Sequence, residues 1–362
     1  MKILFLTPWY PSDKDAMSGL FVQKHVEAVR AQGVDVQVIH SRGWWDMWRK
    51  WKRLQRTWGM PDLVQLNILQ KQGTLALWLK EHFHIPYIII EHWSGYLPEN
   101  GKFRSMPDSK QKFLRRVARE AEMVLTVSVP LQRAMQACGI QAKRWGTIDN
   151  VVDDFFYEPS AFSRQHSERK TLLHVSCFDE RAKNVKGLLR AAKMLSEQRR
   201  DWRLVIIGTG VDYQEVRDYA ASLAFPEGIL EWTGELTPRE VAERMHASDA
   251  LVLSSRYETY GVVLAEAAAA GIPILSTPVG IAEDLISAGG DSAAKGLLVP
   301  QEIAQNKAGT FAQFMETVLW KPTPNPSLKG REFASPDTER FTAQAIGTKL
   351  KNIYDSCLHR DI

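Results

Sequence analysis

The chain has 362 residues, of which 44% are hydrophobic and 24% charged, and its formal net charge is +4. This length predicts two domains, and the composition is that of a soluble globular protein, which excludes a disordered or fibrous chain. No apolar run reaches the roughly 18–20 residues that span a bilayer, and the start, MKILFLTPWYP, is too short an apolar stretch for a signal peptide. The three scattered cysteines predict neither a disulfide framework nor a zinc cluster, which favours a cytoplasmic protein.

The first part of the chain alternates predicted strands and helices. KILFLT is a buried strand, GLFVQKHVEAVRAQG has the apolar spacing of a helix that Gly33 ends, and VDVQVIH and DLVQLN are strands. A helix in QGTLALWLKEHFHI and a strand in PYIIIEHWSG follow. Residues 1–160 carry 22 Lys and Arg against 16 Asp and Glu, whereas the remainder is slightly acidic. We therefore expect the first domain to face an anionic surface or ligand.

The alternation restarts after a polar stretch without periodicity, YEPSAFSRQHSERK. The strands and helices that follow predict a second parallel, doubly wound sheet, and a Pro-rich break, WKPTPNPSLKG, precedes a last helix. The fold class expected is α/β with two Rossmann-like domains. Their boundaries are 1–157 for the first domain, 158–170 for a linker, 171–335 for the second domain and 336–362 for the C-terminal helix.

The stretch SSRYETYGVVLAEAAAAGIPILSTPVG (254–280) is the most informative for chemistry. A strand leads into a loop that holds Glu258, and a helix expected to begin near Tyr260 carries Glu266 about two turns along. The free N–H groups of Thr259, Tyr260, Gly261 and Val262 would face a phosphate. The alternative is that Glu258 merely caps the helix while Glu266 is a solvated charge.

The order of these features, a Glu-x-x-Gly turn, an Ala-rich helix, a Gly-x-Pro stop and a strand ending in TPVG, resembles the retaining glycosyltransferases of family 4 (glycosyl transferases group 1). This resemblance implies the GT-B fold, in which two Rossmann-like domains face a cleft and a C-terminal helix packs back toward the N-terminal domain. It also implies that the two glutamates bind a nucleotide diphosphate sugar donor.

The resemblance extends to other segments and implies roles for their residues. SGLFVQKH matches a glycine loop near the phosphates, IIIEHWSGYLP places a histidine after a strand, and KNVKGLLRAAKML supplies a lysine to the diphosphate, with Lys183 favoured over Lys186. LVIIGTGVDYQEV and EWTGEL match the turn and loop near the nucleotide. The implied catalytic residues are His92, Lys183 and Glu258, and the implied donor-binding residues are Gly19, Gly210, Glu235, Thr259, Tyr260, Gly261, Val262 and Glu266.

Three positions depart from the family pattern. Cys177 stands where the family often has an arginine, the N-terminal loop has one glycine where many relatives have two, and Asp149 replaces a usual proline. With these departures, the negative charge of the diphosphate would be stabilised by Lys183, backbone amides and Arg181. They concern the phosphate geometry more than the reaction class.

The reaction implied is transfer of a sugar from a UDP- or GDP-sugar to a glycan or lipid-linked acceptor of cell-surface polysaccharide synthesis, with retention of the anomeric configuration. We expect no cofactor and no divalent metal, because no Asp/Glu cluster has metal-ligand spacing. Two alternatives stay open: a non-catalytic sugar-nucleotide or glycan-binding protein, and a transferase for small soluble acceptors. A dinucleotide site is a poor fit, since the third glycine of its motif would fall at Tyr213.

The stretch WWDMWRKWKRLQRTW (44–58) holds five tryptophans and five basic residues. As a helix it puts Trp44, Trp48, Trp51, Leu54 and Trp58 on one stripe, which is typical of an interfacial membrane segment. The expected membrane contacts are Trp48, Trp51, Arg49 and Lys52, with added attraction from the basic run KQKFLRRVAR. The alternatives are that the stripe packs on the domain or that the run binds nucleic acid. Because the chain also carries a predicted sugar-nucleotide site, we expect the partner of this stretch to be an anionic membrane and not a nucleic acid. We expect a cytoplasmic protein, peripheral on the inner face of the membrane.

Overall fold

A computed structural model describes residues 1–13, 17–158, 169–286, 296–320 and 336–358. The predicted linker and the Pro-rich break lie largely outside these described residues. The chain divides into two compact units, the first made of residues 1–151 with 340–362 and the second of residues 152–339.

The first unit contains a parallel sheet and its flanking helices. Its strands are β1 (Lys2–Thr7), β2 (Asp35–His40), β3 (Leu63–Asn67), β4 (Tyr87–Glu91), β5 (Met123–Thr126) and β6 (Trp145–Thr147). Its helices are α1 (Leu20–Ala31), α2 (Trp44–Trp58), α3 (Gly73–Phe83), α4 (Asp108–Glu120) and α5 (Val129–Ala137), with α15 (Ala343–Leu358) from the end of the chain.

The sheet of the first unit has the order β2-β1-β3-β4-β5-β6, and every pair is parallel. Such sheets are covered on both faces, which explains the near-continuous apolar runs in β1 and β4. The last helix, α15, packs against α1 and adds Ile346, Leu350 and Tyr354 to the core of this unit. Its approach is close at Gly347, where a Cβ atom would lie 2.3 Å from the carbonyl oxygen of Ala28.

The second unit repeats this construction. Its strands are β7 (Lys170–Val175), β8 (Trp202–Ile207), β9 (Leu230–Gly234), β10 (Ala250–Leu253), β11 (Ile274–Ser276) and β12 (Gly296–Leu298). Its helices are α6 (Glu180–Lys183), α7 (Val185–Gln198), α8 (Tyr213–Ser222), α9 (Pro238–His246), α10 (Val262–Ala269), α11 (Ala282–Ile286), α12 (Gln301–Asn306), α13 (Ala308–Trp320) and α14 (Pro336–Glu339).

The second sheet is also parallel and has the order β12-β11-β10-β7-β8-β9. Counted from its own first strand this is 6-5-4-1-2-3, the dinucleotide-fold order, in which the direction of strand addition reverses between β7 and β10 while all strands stay parallel. Ligands in such sheets bind outside the carboxyl ends of the strands at that reversal. The predicted class, two Rossmann-like α/β units with a C-terminal helix returning to the first, is confirmed.

Helix α2 begins and ends where the sequence predicted, but the predicted stripe is wrong at Trp51. That side chain is 1% exposed, as is Met47 one turn earlier, so these two residues anchor the helix to the unit. Trp51 therefore cannot contact a membrane. The exposed tryptophans lie at the start of the helix, where Trp45 is 81% and Trp44 44% exposed.

No helix among the described residues is both long enough and apolar enough to cross a bilayer.

Candidate active site

The loops that follow β7 and β10 meet at the point where the strand order of the second unit reverses. The β7 loop leads into α6, which ends at Lys183, and the β10 loop carries Ser255 and Glu258. The two strands are hydrogen-bonded neighbours although 75 residues separate Lys183 from Glu258. The parallel sheet therefore brings two of the residues predicted as catalytic together.

Lys183 and Glu258 form an ion pair. The Nζ atom of Lys183 donates to Oε1 of Glu258 at 2.6 Å, and the hydroxyl of Ser255 donates to the same oxygen at 2.7 Å. The side chains are 15% and 13% exposed, so water screens the pair little. Burial lowers the pKa of Lys183, but the charge and hydrogen bond of Glu258 together with nearby Cys177 and Asp179 outweigh it, and the net shift is upward, which keeps the ammonium charged. The alternative lysine, Lys186, pairs with Glu215 instead.

Three residues that the sequence did not single out hold Lys183 in place. The hydroxyl of Ser254 donates to the carbonyls of Lys183 and Asn184 at 3.0 and 3.1 Å. Arg256 donates through Nη2 to the side chain of Asn184 at 2.9 Å and through its backbone N–H to Ala182 at 2.6 Å. The β10 loop is thus fastened to α6 along its length. Arg256 lies two residues before Glu258, but that position in the sequence is equally compatible with an arginine exposed to solvent, so the sequence did not predict its role.

Helix α10 begins at Val262, two residues later than predicted, because Gly261 precedes it in the left-handed conformation (φ 82°). Glu266 is therefore little more than one turn from the start of the helix, and it is half-buried. The first N–H groups of a helix lack the carbonyl partner of the preceding turn, and the helix dipole adds partial positive charge there. In α10 the N–H of Leu264 donates to the carbonyl of Gly261 at 2.9 Å. Thr259, Tyr260 and Gly261 form the loop that leads to this end.

The Gly208–Gly210 turn after β8 packs tightly against the β7 loop. A Cβ atom on Gly210 would lie 2.4 Å from the backbone nitrogen of Phe178, so glycine is needed at this position for packing alone. Within this turn, the hydroxyl of Thr209 donates to Oε2 of Glu235 at 3.4 Å, and Glu235 is exposed after β9. The structure thus places the turn that contains Gly210 beside Glu235 at the carboxyl end of the sheet.

In the first unit, Gly19 precedes α1 in the left-handed conformation (φ 72°), and a Cβ atom there would lie 2.4 Å from the carbonyl group of Trp9. The N–H groups of Val22 and Gln23 both donate to the carbonyl of Gly19. The backbone conformation and close packing at this position therefore require glycine whether or not a ligand binds there.

His92 follows β4 and is 7% exposed. Its ring packs against that of Phe21 with centroids 4.2 Å apart and planes tilted by 31°, and the ring of His25 lies 5.9 Å away. Burial, together with the neighbouring His25, holds the pKa of His92 well below its ordinary value, so the ring is neutral at pH 7. Its Nε2 atom has no hydrogen-bond partner among the described residues, which leaves it able to accept or donate one bond to a ligand.

The backbone around His92 is held by Glu91, a fully buried residue that sequence reasoning missed. One carboxylate oxygen accepts from the N–H groups of His92 and Trp93 at 2.9 and 2.8 Å, and the other accepts from Leu69 after β3 at 2.9 Å. Burial raises the pKa of Glu91 to about 7 although these bonds oppose the shift. The position next to His92 was the only sequence signal for this role.

Among the described residues, no group of three or more His, Cys, Asp or Glu side chains could hold a metal ion. Of the residues that depart from the family pattern, Cys177 is exposed in the β7 loop. Asp149 accepts from Nε2 of the buried His25 through its backbone carbonyl at 3.0 Å.

Two Rossmann-like units with parallel sheets, the first completed by the C-terminal helix, have the architecture of the GT-B fold of glycosyltransferases. Two family models match successive parts of the chain: Glycosyltransferase Family 4 over residues 3–154 and Glycosyl transferases group 1 over residues 158–318. The chain belongs to the group 1 glycosyltransferases of the family 4 type.

Three known proteins illustrate the similarity. The chain is 26% identical over 349 residues to D-inositol 3-phosphate glycosyltransferase of Corynebacterium aurimucosum, covering 91% of this chain and 74% of that one. It is 22% identical over 381 residues to a Bacillus subtilis glycosyltransferase, TuaC, named for teichuronic acid biosynthesis, covering 89% and 91%. The crystal structure of Anabaena HepE in complex with UDP and glucose superposes with a TM-score of 0.69 at 19% identity, covering 98% and 100%, which supports the fold.

Proposed function

We propose that this protein transfers a sugar from a nucleotide diphosphate sugar, a UDP- or GDP-sugar, to an acceptor hydroxyl with retention of the anomeric configuration. The observation that carries the proposal is the Lys183–Glu258 pair at the strand reversal of the second unit, with the amino end of α10 in the same loop. A cation, a helix N-terminus and two carboxylates supply what a diphosphate and a sugar with its hydroxyl groups require.

The chemistry follows from where charge develops. As the bond from the anomeric carbon to the diphosphate oxygen breaks, negative charge grows on the leaving diphosphate and positive charge on the sugar ring. Lys183 and the first-turn amides of α10 stabilise the diphosphate. Glu258 binds hydroxyls of the transferred sugar, and Glu266 binds the ribose. The acceptor oxygen bonds to the anomeric carbon on the face that the diphosphate leaves, and the positioned diphosphate oxygen takes the proton of the acceptor hydroxyl.

The remaining predicted residues complete this proposal. Gly210 and Glu235 lie beside the nucleotide, and the backbone around Gly19 approaches the phosphates. His92 contacts the transferred sugar through a neutral ring, so it offers a hydrogen bond and no charge. Because the cationic groups are Lys183 and a helix terminus, we propose that no divalent metal is required.

For the acceptor we propose a glycan or lipid-linked glycan of cell-surface polysaccharide synthesis. A relative named for teichuronic acid biosynthesis, aligned over nearly all of both chains, supports this class. A small soluble acceptor is the second candidate, which the relative named for D-inositol 3-phosphate favours.

Calorimetric titration tests the donor site. Uridine, guanosine and adenosine diphosphates are titrated against the wild type, Glu266→Ala and a control, Glu227→Ala, whose exposed side chain precedes β9 at the opposite end of the sheet. We expect one nucleotide to bind the wild type and the control equally and Glu266→Ala at least about tenfold more weakly, a loss of about 1.4 kcal/mol. Failure of all three nucleotides to bind, or undiminished binding by Glu266→Ala, would refute the assignment.

Two further measurements test the reaction itself. Once a donor sugar is known, the anomeric coupling constant of the product distinguishes retention from inversion, and an inverted product contradicts the mechanism. Turnover that chelation with EDTA abolishes and Mg²⁺ restores would contradict metal independence. A protein that binds the donor but neither hydrolyses nor transfers it would be the non-catalytic alternative.

A further inference from the structure

A cluster of aromatic rings lies on the surface of the first unit where Trp48 of α2 meets Trp78 of α3. We call it the tryptophan surface, and its members are Trp44, Trp45, Trp48, Trp78 and Phe83. The rings contact one another in a chain, with centroid distances of 4.8 Å (Trp44–Trp45), 5.8 Å (Trp44–Trp48), 5.0 Å (Trp48–Trp78) and 5.1 Å (Trp78–Phe83). Trp45, Trp44 and Phe83 are exposed, so the cluster is a continuous apolar patch.

Cations line one side of this patch. Lys52, Arg53 and Arg56 continue along α2 from Trp48 and are exposed, and none of them pairs with a carboxylate in the part of the chain that the structure describes. The one acidic residue of the helix, Asp46, is already bound to Arg49 and Lys50 at 3.1 and 2.9 Å. The charge beside the aromatic patch is therefore strongly positive and uncompensated.

We propose that the tryptophan surface docks the protein on an anionic phospholipid bilayer. Tryptophan rings prefer the headgroup level of a membrane, and lysine and arginine beside them attract anionic lipid. The buried pair Met47 and Trp51 fixes the rotation of α2, so that Trp45 projects while the cations lie alongside.

The contacts within the cluster favour a membrane over a nucleic acid. Base stacking uses separate ring faces, whereas the edge-against-face contacts of Trp44 with Trp45 and of Trp48 with Trp78, at 86° and 81°, join the rings into one patch. The patch is one connected apolar area beside a row of cations, as in an interfacial amphipathic helix. The residues differ from the stripe that the sequence predicted, since Trp78 and Phe83 come from a second helix and Trp51 is excluded.

Vesicle sedimentation tests the proposal. The full chain is mixed with vesicles of phosphatidylcholine alone and with 30% phosphatidylglycerol at 0.1 M NaCl. We expect binding only to the anionic vesicles, weakened at 0.5 M NaCl because salt screens exposed charges. Lys52→Ala/Arg53→Ala/Arg56→Ala should lower the partition coefficient on the order of 100-fold, about fivefold per cation, and Trp44→Ala/Trp45→Ala by about tenfold or more.

A triple variant elsewhere controls for lost charge. Arg133, Arg200 and Arg239 are exposed outside the surface, and Arg133→Ala/Arg200→Ala/Arg239→Ala should bind anionic vesicles within about twofold of the wild type. Equal sedimentation of the wild type and the surface variants, or an equal loss in the control, would overturn the proposal. So would a dimer in analytical ultracentrifugation that Trp45→Ala abolishes while vesicles bind neither form. Salt-dependent binding of RNA or DNA without binding to vesicles would equally overturn it.

Discussion

The ion pair between Lys183 and Glu258 should couple the two side chains energetically before any ligand arrives. Replacing Lys183 by Met leaves Glu258 as a charge that is 13% exposed, and among the described residues the hydroxyl of Ser255 remains as its hydrogen-bond donor. Removing one partner of a buried pair costs about 3–5 kcal/mol, because the remaining charge is uncompensated. Lys183→Met should therefore destabilise the second unit by about 3 kcal/mol, and Glu258→Gln by a similar amount.

The double variant is the informative one. Lys183→Met/Glu258→Gln removes both charges and keeps a group that accepts from Ser255, so its loss should be smaller than the sum of the single losses by about 2 kcal/mol. A second cycle on Lys186 and Glu215 is the matched control, because Glu215 is 64% exposed and its pairing is screened by water. We expect a coupling energy below about 1 kcal/mol there.

Hydrogen exchange of the β7 and β10 amides is the assay, since it follows the second unit even where the two units unfold separately. The expected result is a coupling energy in the Lys183–Glu258 cycle clearly above that of the control cycle. Additive losses, or equal coupling in both cycles, would show that the two charges do not depend on each other in the unliganded protein and would refute the reasoning.

Three further predictions concern the first unit. Trp51→Ala should lower the free energy of unfolding of this unit by about 3–5 kcal/mol, and Trp45→Ala should lower it by less than about 0.5 kcal/mol. Equal losses in urea titrations would contradict the conclusion that α2 buries Trp51 and exposes Trp45. Gly19→Ala should cost more than about 2 kcal/mol without any ligand, because the added Cβ would meet the carbonyl of Trp9; an unchanged urea midpoint would disprove the close approach. Because the folded-state pKa of Glu91 is raised to about 7, its protonated form is favoured by folding, and this stability is lost as pH rises through 7. Relative to Glu91→Gln, the wild type should lose about 2 kcal/mol between pH 5.5 and 8, and a pH-independent difference would exclude the shift.

Much of the fold could be predicted from the sequence because it follows from local patterns of apolar residues. The near-continuous apolar runs of β1 and β4 and the helical spacing in α1 each report on a few neighbouring residues, and their alternation implies parallel sheets. The residues 44–58 were predicted as a helix, and the structure has a helix with those bounds. The two glutamates of the second unit were found because their spacing resembles a family motif.

The sequence pattern did not predict which face of α2 is buried. Five tryptophans spread over α2 leave more than one apolar stripe compatible with helical spacing, so periodicity could not show that Met47 and Trp51 face the core. Trp78 joins the exposed aromatic patch from another helix, where it contacts Trp48, a residue 30 positions earlier in the sequence. Only packing between elements decides such a face.

The sequence by itself determined the class of fold, the identity of the residues available for chemistry and the family to which they point, since these depend on residue type and short-range spacing. The tertiary structure alone decided which of them meet. Parallel pairing of β7 with β10 brings Lys183 to Glu258 across 75 residues, leaves Lys186 with another partner, and lets Arg256 fasten the loop after β10 to α6. In the first unit, Glu91 at the end of β4 holds the backbone around His92. Strand order sets these contacts, and strand order is a property of long-range pairing that no short stretch of the chain contains.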